Sequence, residues 1–282
     1  MPDPRSGAGL NRRQMLGMLG AGAAAGVSLA TSAQSAAEVK SWGVQVDVLV
    51  VGSGAAGVSA AIEARTLGAS VLLLESLPRF GGASGMSGGV VYAGGGTALQ
   101  KALGIEDSVD AMYDFLSQAG GPHPSPDKVQ VYCEESPAHF DWLVAQGIPY
   151  SEKFAAARGL PMGDESLYFS GTELAWPARE LAKPAPRGHV PGTPGMNGGR
   201  SLMEALLARA ESLGVELRAG SPARRLITER DGRVVGLVAG TQEAPLSIKA
   251  RTGVVLAAGG FVHNPEMLRR HAPELADCSV PW

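Results

Sequence analysis

Gly52-Ser53-Gly54-Ala55-Ala56-Gly57 has the spacing of a backbone cradle for a pyrophosphate. Gly52 permits a tight turn, Gly54 presents no side chain to the phosphates, and Gly57 lets a helix lie close to a strand. A phosphate held there would meet the unpaired N–H groups and positive dipole end of that helix. Glu75 follows at the offset of about 20 residues usual for a carboxylate that accepts both ribose hydroxyls and repels a 2′-phosphate. Beyond it, Gly81-Gly82-Ala83-Ser84-Gly85-Met86-Ser87-Gly88-Gly89 exposes a second run of backbone N–H groups and leaves room for a large flat ligand.

Three spaced glycines alone are weak evidence, and the elements around them supply the weight. Residues 46–51 are an apolar run broken only by Asp47, the pattern of a strand buried on both faces. Residues 58–68 carry Ala, Ile and Leu at helical spacing, and 70–74 form a second strand that ends on Glu75. The motif does not choose between NAD and FAD. The glycine run after Glu75 favours a flavin, because it can follow the diphosphate toward an isoalloxazine ring.

Further along, 107–119 is an amphipathic helix. Ser125-Pro126 and Ser136-Pro137 each read as an N-cap followed by Pro, which predicts two helices, 126–135 and 137–146. Residues 150–200 are a loop-rich insertion with repeated prolines, and 201–213 is a helix. A strand at 215–218 precedes strands 225–229 and 233–238, which flank the hairpin signal Asp231-Gly232. Residues 246–250 add a third antiparallel strand; 254–258 form a separate buried strand ending in Gly259-Gly260-Phe261; Asn264-Pro265 opens a last helix.

In this order, and in five local motifs, the chain resembles the FAD-binding part of the fumarate reductase/succinate dehydrogenase flavoprotein superfamily, most of all 3-ketosteroid dehydrogenases of the Δ4-(5α) type. The motifs are the first glycine run, the second, Tyr92-Ala93-Gly94-Gly95-Gly96-Thr97, Ala185-Pro186-Arg187-Gly188-His189-Val190-Pro191, and Leu256-Ala257-Ala258-Gly259-Gly260-Phe261. The resemblance implies an α/β fold, Rossmann-like and FAD-binding in the glutathione-reductase manner, with a β-meander. It implies that Gly52, Ser53, Gly54, Ala55, Ala56 and Gly57 hold the pyrophosphate and Glu75 the ribose. Gly81, Gly82, Ala83, Ser84, Ser87, Gly88 and Gly89 would line the diphosphate and flavin. Ala223 would meet adenine through its backbone, and Ala258, Gly259 and Gly260 would close over the nucleotide.

By the same resemblance the protein is an FAD-dependent oxidoreductase acting on a CH–CH bond next to a carbonyl. Its substrate is a ketosteroid, or alternatively an enoate reduced in the fumarate reductase manner. Members of the superfamily continue after the Gly-Gly-Phe strand into a substrate-capping domain and return to complete the flavin site. Only a short stretch follows Phe261, so the domains read as 38–261 for FAD binding and 262–282 for the start of a cap. The alternatives are a non-catalytic fragment or a partner subunit complemented by a second chain. The relatives' catalytic residues fall mostly in the later portion, so none is carried over. Succinate dehydrogenases attach flavin through a histidine in the loop after the ribose acid; residues 76–96 hold no histidine, which implies non-covalent FAD.

Other single residues read modestly. Tyr92 follows the flavin loop and is read as an ordinary half-buried tyrosine before a substrate-facing one. Arg187 and His189 read as a solvated loop pair before a contact to an acidic or carbonyl substrate. His139 and His263 read as structural, and Cys133 as a buried helical thiol.

Composition sets the outer limits. Of 282 residues, 39 are glycine, about twice the usual roughly 7%, while 45% are hydrophobic, enough for a sizeable core. The net charge of −3 argues against a nucleic-acid protein held by a basic face. The two cysteines are far apart and no metal-binding spacing of His or Cys occurs, so no metal site is expected. At the N-terminus, Arg12-Arg13 precedes a charge-free run from Met15 to Ala30 and the small-residue sites Thr31-Ser32-Ala33 and Ser35-Ala36-Ala37. That reads as a twin-arginine-type signal peptide over 1–37, predicting export with cleavage near Ala33 or Ala37; the alternative is a disordered basic N-terminus or a retained anchor helix.

Overall fold

The computed structural model describes residues 33–119, 125–156, 159–262 and 264–276. Residues 1–32, which hold most of the expected signal peptide, and His263 and Cys278 lie outside them.

The first strand, β1 (Gln34–Ser35), is short. The apolar run becomes β2 (Val44–Val51), and helix α1 (Ala55–Thr66) starts inside the glycine motif, three residues earlier than its apolar spacing suggests. β3 (Val71–Leu74) follows, parallel to β2 with Val51 opposite Leu74. Successive residues of β3 enter different cores: Val71 and Leu73 pack with Val50, Val58 and Ile62, whereas Leu72 and Leu74 pack with Leu49, Leu237 and Ile248. Burial of both faces is why the run is apolar without alternation.

Asp47, the one charge in β2, accepts from the Ser70 N–H at 2.8 Å and the Ser70 hydroxyl at 2.7 Å. Arg251 Nε also donates to it at 2.8 Å and is the main cause holding its carboxyl well below the usual carboxylate range.

After β4 (Val91–Tyr92) come α2 (Ala98–Ala102) and α3 (Val109–Ala119). The two helices expected over 126–146 are one helix of 20 residues, α4 (Pro126–Ala145), with Pro137 inside it. An internal proline costs a helix roughly 3 kcal/mol, so tertiary packing must outweigh the break. Cys133, Ser136, Phe140 and Leu143 are all buried and recur at helical spacing across Pro137. Ser136 does not cap a helix: its hydroxyl accepts the Gly94 N–H at 2.9 Å.

The loop-rich insertion contains β5 (Phe154–Ala155), β6 (Leu167–Tyr168), the short helix α5 (Ala178–Leu181) and β7 (Gly188–His189). With β4 these strands form a small sheet in the order β4-β7-β6-β5. Then follow α6 (Gly198–Ser212), β8 (Glu216–Arg218), β9 (Ala223–Thr228), β10 (Val234–Gly240) and β11 (Pro245–Leu256). Residues 264–276 carry the short helices α7 (Pro265–His271) and α8 (Pro273–Ala276).

The main sheet runs β1-β9-β10-β11-β2-β3-β8. The sequence predicts two strands over 246–258, but β11 is continuous: antiparallel to β10 over its first half and parallel to β2 up to Leu256 opposite Val51. Arg251-Thr252-Gly253 looks like an interruption because it is polar. In the sheet it absorbs a register shift between Ala250 and Gly253, and Arg251 turns out to meet Asp47. No helix among the described residues is long and apolar enough to cross a membrane.

Candidate functional site

Four parallel strands, β8, β3, β2 and β11, end in one row at Arg218, Leu74, Val51 and Leu256. The residues that follow each end, among them Glu75, Gly52 and Ala257, therefore share one crevice at the carboxyl edge of the sheet, the place where open α/β sheets bind ligands.

The glycines of the first motif have different neighbours. Gly52 has φ +101°, and a Cβ there would lie 2.3 Å from the Ala257 carbonyl oxygen. A Cβ on Gly57 would lie 1.9 Å from the Gly52 carbonyl oxygen, so α1 can seat on the turn only with glycine at this position. A Cβ on Gly54 meets nothing nearer than Ser84 Oγ at 3.5 Å. The space beside Gly54 is open to a ligand while the other two positions are closed by protein. Gly54 caps α1 without a side-chain acceptor, and the first-turn N–H groups of a helix have no intrahelical partners. Ser84 Oγ accepts the Ala55 N–H at 3.1 Å; Ala56 is exposed.

Ser53 is turned inward and fully buried. Its N–H and hydroxyl donate to Glu75 Oε2 at 3.1 and 2.5 Å, and its hydroxyl oxygen accepts the Gly81 N–H at 3.0 Å. Glu75 Oε1 accepts the Leu77 N–H at 2.9 Å and the Ser76 hydroxyl at 3.1 Å. Burial alone would raise the Glu75 carboxyl, but these donors, Leu77 foremost, outweigh it and hold it below its ordinary value. Glu75 is thus a fixed, ionised carboxylate at the end of β3.

The second glycine run lies against the first. A Cβ on Gly82, with φ +51°, would sit 3.4 Å from Gly54 Cα. Residues Gly82–Met86 form a 3-10 turn in which Ala83 and Met86 are exposed, as is Ser87 after it, while Gly81 is buried. Gly88 and Gly89 pack on the start of α6: a Cβ on Gly89 would be 2.2 Å from the Gly198 carbonyl carbon. A Cβ on Gly199 would be 2.3 Å from the Ser87 carbonyl oxygen. Gly198-Gly199 is therefore a seat for this loop that the sequence reading missed; two poor helix formers opening a helix were the available signal.

At the far end of the crevice, the Ser221 N–H donates to the Glu75 carbonyl at 2.8 Å, which brings Ala223, exposed at the start of β9, close to Glu75. Ala258, Gly259 and Gly260 are exposed beyond β11, and a Cβ on either glycine would meet nothing within 4 Å. Of the residues expected from sequence to hold the nucleotide, Gly52, Ser53, Gly54, Gly57, Glu75, Gly81, Gly82 and Ser84 come together here, with Ser53, Gly57 and Gly81 facing inward, whereas Gly88 and Gly89 pack on α6.

Arg187 and His189 are not a solvated pair, and neither faces an open substrate site; both are fully buried. Arg187 donates from Nε and Nη2 to Asp107 at 2.9 and 2.7 Å. Asp107 Oδ2 also accepts the Gly95 N–H at 3.0 Å and Gln100 Nε2 at 3.1 Å. Burial alone would raise the Asp107 carboxyl; Arg187 above all outweighs it and holds it low. A Cβ on Gly94 would lie 2.8 Å from Arg187 Cδ, so the glycines of the Tyr92–Thr97 motif make room for this pair. His189 Nδ1 faces the Arg187 carbonyl and its Nε2 the Thr97 hydroxyl, each at 3.0 Å. Burial pushes its pKa down to about 4.

Burial and the neighbouring Glu173 push the Tyr92 phenol far above its usual range, and its hydroxyl is buried without a hydrogen-bond partner. A cavity of about 620 Å³ lies along α4, lined by Tyr92, Val131, Tyr132 and His139 among others. Cys133 is buried with its thiol pushed up to about 11, an inert packing group. Among the described residues no group of three or more His, Cys, Asp or Glu side chains is placed to hold a metal ion.

Comparison with known proteins agrees with this geometry. Residues 47–281 match the model of the FAD binding domain family. The chain is 36% identical over 209 residues to 3-oxo-5-alpha-steroid 4-dehydrogenase of Comamonas testosteroni, covering 72% of this chain and 38% of that one. It is 32% identical over 231 residues to fumarate reductase (cytochrome) of Shewanella frigidimarina, covering 82% and 36%. The crystal structure of 3-ketosteroid-delta4-(5alpha)-dehydrogenase from Rhodococcus jostii RHA1, in complex with 4-androstene-3,17-dione, superposes with a TM-score of 0.84 at 43% identity, covering 89% of this chain and 53% of that chain. The chain thus spans from about a third to about half the length of these relatives.

Proposed function

The chain belongs to the FAD binding domain family, and from that premise we propose that it is the flavin-holding part of an oxidoreductase acting on a CH–CH bond beside a ketone, with a 3-ketosteroid as substrate. The observation that carries the cofactor is the open face of Gly54 between two glycines closed by protein, since of the three motif glycines it alone leaves a diphosphate room at the backbone. The likeness in sequence and shape to the Rhodococcus enzyme carries the substrate class.

The α1 N-terminus and Ser84 would hold the diphosphate, the fixed carboxylate of Glu75 the ribose, the Ala223 backbone the adenine, and the loop 81–89 the flavin. Bound FAD supplies hydride acceptance, and the protein supplies position and charge. With no histidine in residues 76–96, the attachment is non-covalent.

A second reading has its own support. Leu256 is 63% exposed, Leu275 49% and Phe261 37%, so the end of β11 and the helices after it present apolar side chains to water. A polypeptide corresponding to the rest of the relatives' length, in the same chain or a complementing one, would cover them. The similarity to the Shewanella fumarate reductase keeps an enoate as the alternative substrate. The leader sequence supports export by the twin-arginine route to an extracytoplasmic compartment.

Anaerobic mixing of the purified flavoprotein with a panel of 3-ketosteroids tests the substrate. Bleaching of the flavin by a saturated 3-ketosteroid supports the reading. Bleaching by none, with reoxidation of the reduced protein by an enoate, moves the assignment to the reductase.

A further inference from the structure

We propose that Tyr92, Glu173 and Arg187 form a buried site for one water molecule, which ties the loop after β6 to β4 and β7. The site belongs to the small sheet and does not depend on the flavin reading.

The small sheet sets the place. Tyr92 of β4 and Tyr168 of β6 both lie opposite Gly188 of β7. A Cβ on Gly188 would be 2.6 Å from Ser170 Oγ and 2.8 Å from Tyr168 Cε1, so the chain leaving β6 lies tight against that glycine. Three residues past Ser170 comes Glu173, 1% exposed. Arg187, next to Gly188, is fully buried, and its Cζ lies 5.7 Å from the centre of the Phe115 ring. The Tyr92 ring stacks on the same Phe115, with centres 6.2 Å apart. Burial is the largest cause of the raised Tyr92 phenol; Glu173 adds to it and Arg187 opposes it, so both charges lie close to the hydroxyl.

Each of the three side chains has one polar atom left over. Glu173 Oε2 accepts the Gly171 N–H at 2.9 Å, whereas its Oε1 has no partner among the described residues. Arg187 gives Nε and Nη2 to Asp107, and its Nη1 has no partner there either. The same holds for the Tyr92 hydroxyl. A buried polar atom without a hydrogen bond is costly, a charged one more so, and such atoms in native proteins are met by protein or by ordered water. The chemistry of the set selects the guest. It offers one cationic donor, one anionic acceptor and one hydroxyl that can do either. An anion would be repelled by Glu173 and a cation by Arg187, so the guest is neutral and must both donate and accept. Water does so with the three bonds usual for a buried molecule: it donates to Glu173 Oε1 and accepts from Arg187 Nη1 and the Tyr92 hydroxyl. One guanidinium then serves two buried carboxylates, Asp107 directly and Glu173 through the water.

Tyr92→Phe in the full chain separates the alternatives by the sign of its effect. With the water in place, the variant takes a donor from it, and the urea midpoint should fall below that of the wild type. An orphaned hydroxyl would instead be a costly group removed, so an equal or higher midpoint overturns the proposal. In a double-mutant cycle with Glu173→Gln, the two effects should not add, because both act on one water; strict additivity overturns it. A direct Tyr92–Glu173 hydrogen bond would produce the same midpoints, and a high-resolution crystal structure of the unmodified chain decides between them. The expected result is one ordered water within hydrogen-bond distance of Tyr92 Oη, Glu173 Oε1 and Arg187 Nη1. A dry site, with these atoms bonded to one another or left apart, overturns the proposal.

Discussion

Ser53 fixes Glu75 from inside the protein: its N–H and its hydroxyl both reach Glu75 Oε2, at 3.1 and 2.5 Å. The second residue of the glycine motif is therefore a support for Glu75 and a bridge to the second glycine run, whose Gly81 N–H ends on the same hydroxyl at 3.0 Å. Ser53→Ala removes one donor from Glu75 and strands a buried N–H, a loss of about 1–3 kcal/mol by the cost of an unsatisfied group. FAD affinity measured by quenching of flavin fluorescence should fall, with kinetic constants for any substrate tracking flavin occupancy. Unchanged affinity would mean that the carboxylate needs no orientation.

Gly54 and Gly57 are expected to fail in different ways. Gly54→Val places its side chain in the space left for the diphosphate, so a folded protein without FAD should result. Gly57→Val drives a side chain into the Gly52 carbonyl, 1.9 Å from the first added carbon, so the fold itself should be lost. Circular dichroism and flavin absorbance together distinguish the two. Full flavin content in the Gly54 variant would refute the cradle.

Flavin attachment has a direct measurement. Heat or acid denaturation should release all FAD into the supernatant, since residues 76–96 contain no histidine. Yellow colour or fluorescence retained on the denatured chain in a gel would contradict this.

How far the sequence announces the fold depends on whether a signal is local. The unit from β2 through α1 to Glu75 is legible because turn, dipole and close packing each demand glycine at a set position. The break at Pro137 is misleading because a proline rule is local, whereas the buried face of Cys133, Phe140 and Leu143 and the Ser136–Gly94 bond belong to tertiary structure. Likewise Arg251 reads as a strand end until Asp47, far away in sequence, supplies its partner. The site shows the same division. Glu75 is legible from its offset, but the roles of Ser53, of Gly198-Gly199 and of the Arg187–Asp107 pair depend on contacts that only the folded chain creates.

That pair yields a prediction of its own. Asp107→Asn leaves the Arg187 guanidinium buried without a counter-charge and weakens its hold on the Gly94–Thr97 turn. Breaking one side of a buried pair costs about 3–5 kcal/mol, so the urea midpoint should drop substantially. Replacing both residues, Asp107→Leu with Arg187→Met, should recover part of that loss. A double variant no more stable than Asp107→Asn would show that the hydrogen bonds to Gly95 and Gln100 matter more than the charges.

His189 sets the pH at which the protein begins to loosen. Its ring lies between the Arg187 carbonyl and the Thr97 hydroxyl and against Phe140, 4.4 Å between ring centres, where a charged imidazolium is poorly solvated. The folded pKa of about 4 lies below the ordinary 6.5, so between those values the unfolded chain binds the proton and the folded chain does not. Folding stability is therefore complete above pH 6.5 and falls as the pH drops toward 4, by up to about 3 kcal/mol. Asp107 and Glu75, both held below their ordinary values, add their own losses only at lower pH, as the unfolded carboxylates begin to take protons near pH 4.5 and below. Urea midpoints measured from pH 7.5 to 4.5 should decline in the wild type. His189→Gln removes the titrating ring while keeping one donor and one acceptor, so its midpoint should start lower but decline less steeply over that range, the remaining slope belonging to His139, which burial also holds below its ordinary value. A variant that declines as steeply as the wild type would place the acid sensitivity in another group.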